Sequence, residues 1–237
     1  MSAFSADAAP AACDGLAAVL FDMDGLLVDT EPVWFEVEQS VVRRLGGEWT
    51  PADQRALVGG SLRRSVNYLI SRAPEADRAP DFDVVADWLI GGMAELLASR
   101  EITPMPGAVE LVGAVQAAGL PYALVTSSER VIADAVLKAL DRHGVRFDVV
   151  VCGPDVRHAK PDPEPYQLAA SLVGAEPRCC VALEDSPNGV AAALAAGCAT
   201  VAVPGLAPVA ERPGLLIVSS LADLSLDRLR ELVADRR

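Results

Sequence analysis

Two carboxylates two positions apart, Asp22 and Asp24, follow directly on an apolar run in LFDMDGLLVDTEP (20–32). Thr126 and Ser127 follow a second apolar run, Lys160 sits in HAKPDP, and Glu184 and Asp185 close VALED. Acids crowded on one rim repel unless a cation lies between them. Oxygen-only donors select a hard ion, and Mg²⁺ characteristically takes one or two carboxylates together with water and phosphate oxygens. Such an ion lets a carboxylate approach an anion. Asp22 is then placed to attack phosphorus. Asp24 can protonate the leaving oxygen and later activate water. The Thr126 hydroxyl, the Ser127 backbone N–H and Lys160 can hold the other phosphoryl oxygens. Gly25, next to Asp24, suits a tight turn that brings backbone close to an anion.

Each residue alone has an ordinary reading. A D-x-D pair is often solvated, Ser128 reads as a helix cap, and Glu184-Asp185 before Ser186-Pro187 suits a helix N-terminus. What outweighs these readings is their order, at successive strand ends along the chain.

The elements that must position them are short apolar runs alternating with helical stretches. Candidate strands are 16–21, 122–126, 147–152, 179–184, 199–203 and 215–219. Their unbroken apolar character fits parallel strands covered on both faces. Candidate helices are 106–119, 128–144, 162–174 and 186–197, with Gly119, Gly144 and Gly197 as stops. Strand and helix in alternation predict a doubly wound α/β sheet, with the ligand beyond the carboxyl ends of the strands. Residues 32–103 break the rhythm: no strand pattern is present, and helices are expected at 33–45, 51–57, 61–72 and 82–99. Thr50-Pro51-Ala52-Asp53 has the residues of a helix start. The predicted organisation is a flexible tail at 1–14, an α/β core of 15–31 with 104–237, and a helical cap at 32–103.

The chain has 237 residues and a formal net charge of -13, which disfavours nucleic acid as a partner. The N-terminal stretch has no basic region or long apolar run, so neither a signal peptide nor a membrane span is expected. The five cysteines, Cys13, Cys152, Cys179, Cys180 and Cys198, show no C-x-x-C spacing and are read as reduced thiols of a cytoplasmic protein.

FDMDGLLVDTEP, LVTSS, AKPDPEPY and ALEDSPNGVAAALAAG, in that order, resemble the four motifs of the haloacid dehalogenase superfamily. The position of the helical insert resembles the subgroup with a small helical cap, which includes β-phosphoglucomutase-like enzymes and sugar-phosphate phosphatases. The resemblance implies that Asp22 is nucleophile and Mg²⁺ ligand. It makes Asp24 the general acid/base, with its backbone carbonyl on the metal. Asp185 is implied as the third protein ligand, with Glu184 in or near the metal shell, and Thr126 and Lys160 as phosphoryl-binding residues. Asp24 and Asp185 together favour phosphoryl transfer over the carbon chemistry that names the superfamily.

Within that resemblance the expected activity is Mg²⁺-dependent hydrolysis of a small phosphorylated metabolite, a sugar phosphate, through an aspartyl-phosphate. The rival is a sugar phosphomutase. Trp34 stands where a mutase-like cap histidine is expected, and Leu62 stands near the expected cap arginine with Arg63 beside it. Trp34 and Arg63 are therefore candidate substrate-binding residues. Arg63 and Arg64 are adjacent on one helix, so one of the two is expected to face the site, and Trp88 reads as cap core. His143 and His158 receive no role. A phospho-acceptor signalling receiver, the remaining alternative, carries its acceptor on the third strand and no helical insert. A cap that covers the site leads to the expectation of a monomer.

Overall fold

The computed structural model describes residues 13–236; residues 1–12, within the expected tail, lie outside them. The first apolar run forms strand β1 (Ala18–Phe21), all four residues buried. The later strands are β2 (Tyr122–Val125), β3 (Val149–Val151), β4 (Cys180–Glu184), β5 (Ala199–Ala202) and β6 (Leu215–Ile217). They make one sheet in the order β3-β2-β1-β4-β5-β6, every pairing parallel. Each strand is shorter than its apolar run because the flanking residues turn away into loops.

Parallel neighbours need crossovers, supplied here by α5 (Ala108–Ala117), α6 (Arg130–Asp141), α7 (Glu164–Leu172) and α8 (Pro187–Ala196), with α9 (Leu226–Ala234) at the end of the chain. Helix α9 was not anticipated, although Ser225 caps it by accepting the Arg228 N–H. Alternation along β1 divides the sheet. Val19 and Phe21 join the core that includes α5, α6 and α9, whereas Ala18 and Leu20 pack with Tyr166, Ala169, Ala170, Ala192 and Ala193 of α7 and α8. The small residues of the second face let those helices sit close to the sheet.

Between β1 and β2 the chain forms α1 (Glu31–Arg44), α2 (Pro51–Leu57), α3 (Leu62–Ser71) and α4 (Phe82–Ser99). Helix α1 carries Glu31 in its first turn and Arg43 and Arg44 in its last, matching its dipole. At α2 the Thr50 side chain and Asp53 make the reciprocal capping box expected there. The two linkers to the insert run side by side: Asp29 N–H donates to Thr103 O (3.1 Å) and Met105 N–H to Leu27 O (2.9 Å). Helix α4 packs against α6, and Asn188 Nδ2 donates to Gly59 O (3.2 Å), so the insert touches the sheet domain on two sides.

The cysteine reading needs correction. Cys13 and Cys179 form a disulfide, Cα atoms 5.5 Å apart, while Cys152, Cys180 and Cys198 are free and buried. The pair closes a sequence separation of 166 residues, which no local spacing announces. It also removes the cysteine argument for a cytoplasmic protein. Among the described residues no helix is long and apolar enough to cross a membrane.

Candidate active site

The register of the sheet builds the centre of the site. Phe21 is the last β1 residue paired with β4, opposite Leu183. One step further, Asp22 comes level with Glu184 on one side and Val125 on the other. Parallel neighbours at one level project to the same face. Lys160 fills the gap between them: its Nζ donates to Asp22 Oδ1 (2.6 Å), Glu184 Oε1 (2.6 Å) and Val125 O (2.8 Å). The Tyr166 hydroxyl donates to the same Glu184 oxygen (2.6 Å). Glu184 Oε2 is approached by the Asp185 and Ser186 N–H groups (3.2 and 3.5 Å) and by the Ser186 hydroxyl (3.2 Å).

Glycines permit this crowding. A Cβ on Gly189 would fall within 2.0 Å of the Glu184 carboxyl, and one on Gly25, where φ is +79°, would lie 2.4 Å from Asp185 Oδ2.

Three buried acids around one lysine leave an excess of negative charge. Burial, then the Glu184 charge, raises Asp22 well above the usual carboxylate range; burial, then the charges of Asp22 and Glu184, does the same to Asp185. Burial works to lower Lys160, but the charges of Asp22 and Glu184 override it and hold the ammonium above the ordinary lysine range. Asp22, Glu184 and Asp185 each offer an oxygen, all within 4.8 Å of one another. Asp22 and Asp185, the two of these that line the cleft, make with this charge excess a hard-donor pair that fits a small divalent cation, with Glu184 beneath them.

Asp24 sits apart from that cluster. The turn at Gly25 folds the chain back so that Asp24 bridges Val28, and four side chains donate to the Asp24 carboxylate. Thr30 (2.7 Å) and Trp34 Nε1 (3.1 Å) reach Oδ1; Ser128 (2.8 Å) and Thr126 (3.2 Å) reach Oδ2. Thr30 occupies the N-cap of α1 but makes no side-chain cap bond, its hydroxyl being directed to Asp24. Ser128 is likewise not the cap of α6, whose N-cap is Glu129. Asp22, Asp24, Trp34, Thr126, Ser127, Lys160 and Asp185 all line one cleft of about 560 Å³, open solvent included. The Ser127 hydroxyl there is buried and unpaired among the described residues. Glu184 lies beneath the cleft wall and is fully buried.

Two expectations about the insert do not hold. Arg63 is not among the residues lining the cleft; its guanidinium lies 5.7 Å over the Phe82 ring. Arg64 is no substitute, since its Nη2 donates to Ala56 O (2.7 Å). Their helix turns both outward because Val66 and Leu69 take its buried face. Trp88 is packed with the core, with Arg44 stacked 3.7 Å over its ring. Trp34 does line the cleft, but its indole N–H is committed to Asp24. The insert instead contributes Glu38 and Gln54, with Glu31 from the linker that leads into it. Sequence reasoning overlooked these, along with Thr30, Ser128 and Tyr166. The spacing of Glu31, Trp34 and Glu38, three and then four residues apart, places all three on one helix face and was a usable signal.

Known proteins can be compared with this geometry. The family model for haloacid dehalogenase-like hydrolases matches residues 16–197. Hexitol phosphatase B of Escherichia coli K12 is 32% identical over 219 residues, covering 92% of this chain and 94% of its own. Hexitol phosphatase A of the same organism is 34% identical over 189 residues, 78% of this chain and 81% of its own. The crystal structure of CbbY from Rhodobacter sphaeroides in complex with phosphate superposes with a TM-score of 0.81 at 28% identity, covering 90% of this chain and 99% of that one. The family match spans most of the chain and takes in every residue of the buried charge cluster: the chain belongs to the haloacid dehalogenase-like hydrolase family.

Proposed function

We propose that the protein is a phosphatase that hydrolyses a monophosphate ester of a sugar or sugar alcohol, with the phosphoryl group carried transiently on Asp22. The observation that carries this reading is the arrangement of Asp22 against Lys160 and Asp185 at the end of β1, opening onto a cleft that also presents Asp24, Thr126 and Ser127. The phosphatase names of two relatives support the substrate class.

In the first step an Asp22 oxygen bonds to phosphorus as the bond to the leaving alkoxide breaks, and Asp24 delivers a proton to that oxygen. In the second, Asp24 removes a proton from water, the water oxygen bonds to phosphorus, and the acyl-phosphate bond breaks to release inorganic phosphate. Thr126, Ser127 and Lys160 hold the phosphoryl oxygens in both steps. The carboxylates of Asp22 and Asp185 and the main-chain carbonyl of Asp24 are assigned as ligands for Mg²⁺. When bound, the ion supplies positive charge against the phosphoryl oxygens. Glu184, its oxygens already taken by Lys160, Tyr166, Ser186 and the Asp185 N–H, is assigned the task of holding Lys160 in place. Residues 32–103 act as a cap that closes the cleft to bulk water.

A mutase must seat a second phosphate, for which a cation on the cap wall is needed. Among the described residues Lys160 is the only cation lining the cleft, which favours hydrolysis. The test is a phosphate-release screen over sugar and polyol phosphates, with and without Mg²⁺, and with Asp22→Asn as control. Expected is Mg²⁺-dependent release that the folded Asn variant lacks. A folded Asp22→Asn variant with wild-type turnover overturns the assignment.

A further inference from the structure

One group on the cap side of the cleft is unused by the chemistry above. Glu38 of α1 is 4% exposed and lines the cleft, and its Oε2 is buried without a hydrogen-bond partner among the described residues. The Trp49 indole N–H lies near enough to favour the ionised carboxylate, yet the two do not meet in hydrogen-bond geometry, and Trp49 Nε1 is left unpaired as well. The neighbours are committed elsewhere. Glu31 Oε2 accepts from Gln54 Nε2 (3.0 Å), which also donates to Glu31 O (2.8 Å), and Trp34 serves Asp24. Burial, then the charge of Glu31, pushes Glu38 up to about 8. At neutral pH its carboxyl therefore keeps a proton and can both donate and accept.

A buried polar atom with no partner is expensive, and native proteins rarely keep one without a use. A monophosphate ester with its phosphorus at Asp22 has to extend along the cleft wall that Glu38 shares. Beside the apolar Trp34, Leu57 and Val58, that wall presents carboxyls, an amide and a hydroxyl, and among the described residues no cation. Its chemistry suits alcohol hydroxyls; it does not suit a second anion.

We propose that Glu38 reads the alcohol portion of the substrate: its carboxyl hydrogen-bonds a tail hydroxyl, selecting a neutral polyol over an alkyl chain and over a second phosphate. Which end of the ligand meets Asp22 is taken from the phosphatase reading. A site built to pair a hydroxyl rejects an analogue lacking it because the protein group is then left unmatched.

The test compares three ligands of one chain length: a hexitol monophosphate, hexyl phosphate and a hexitol bisphosphate. For the wild-type protein kcat/KM should favour the hexitol monophosphate over each of the others by about tenfold or more. In Glu38→Met the preference over hexyl phosphate should fall about tenfold, and Glu38→Gln, which still donates and accepts, should retain most of it. Equal wild-type treatment of hexitol and hexyl phosphates overturns the proposal, whether or not the Met variant folds. So does an undiminished preference in a folded Met variant. Calorimetric titration of Asp22→Asn with the hexitol and hexyl phosphates needs no turnover. If the wild type releases phosphate neither from these three nor from any sugar phosphate of the screen above, the phosphatase reading fails, and the relative affinities of the hexitol and hexyl esters still decide the role of Glu38: a clear preference for the hexitol ester supports it, and equal affinity refutes it.

Discussion

Glu38 also makes a quantitative prediction about stability. Its carboxyl is buried, faces the charge of Glu31 and is held at about 8 in the folded protein against an ordinary 4.5. Between those two values the folded chain binds the proton more tightly than the unfolded chain does. Its contribution to stability is therefore complete below about pH 4.5, and it is lost as pH rises through about 8. At about 1.4 kcal/mol per tenfold change in proton affinity, the full difference is about 5 kcal/mol. About 4 kcal/mol of it is lost between about pH 5 and about pH 9. Glu38→Gln keeps the shape and removes the titration. Urea unfolding of both proteins across that range should show the wild type losing about 4 kcal/mol more than the variant. A residual slope should survive in both, because Glu31, pushed up to about 7 by burial and by the charges of Asp24 and Asp29, titrates in the same direction. Parallel stability curves for the two proteins would refute the reasoning, since they would mean that Glu38 is ionised at no unusual cost.

Other predictions rest on separate contacts. Trp34→Phe removes one of four donors to Asp24 and should lower kcat about tenfold with little change in KM; a change in KM alone would mark Trp34 as a substrate contact instead. Tyr166→Phe takes a hydrogen bond from a fully buried carboxylate and should cost about 1–3 kcal/mol in chemical denaturation, while unchanged stability would show that Glu184 is satisfied without it. Thiol titration of the denatured, unreduced protein should count three free cysteines, and a count of five would contradict the Cys13–Cys179 bond.

Much of the molecule was legible before any coordinate. Strand-length apolar runs separated by helical periods, with glycine stops, lead to a parallel α/β sheet, because only strands covered on both faces tolerate such unbroken hydrophobicity. Parallel connectivity then forces Asp22, Thr126 and Asp185 to one edge of the sheet, so their convergence follows from chain order. The Thr50–Asp53 helix start was readable too, because a capping box lies within four consecutive residues. What only the tertiary structure decided depends on packing between segments far apart in sequence. Whether Arg63 points to the cleft is settled by which side of α3 buries Val66 and Leu69. The pairing of Cys13 with Cys179 needs the start of β1 to lie beside the start of β4. The double engagement of Lys160 follows from the level at which two neighbouring strands end. The unpaired Glu38 is the clearest case. Its place on the face of Trp34 could be counted from the sequence, but its burial without a partner arises only where α1 closes over the cleft. Local propensity and periodicity act over a few residues and are written in the sequence, whereas desolvation and partner choice are properties of the assembled interior.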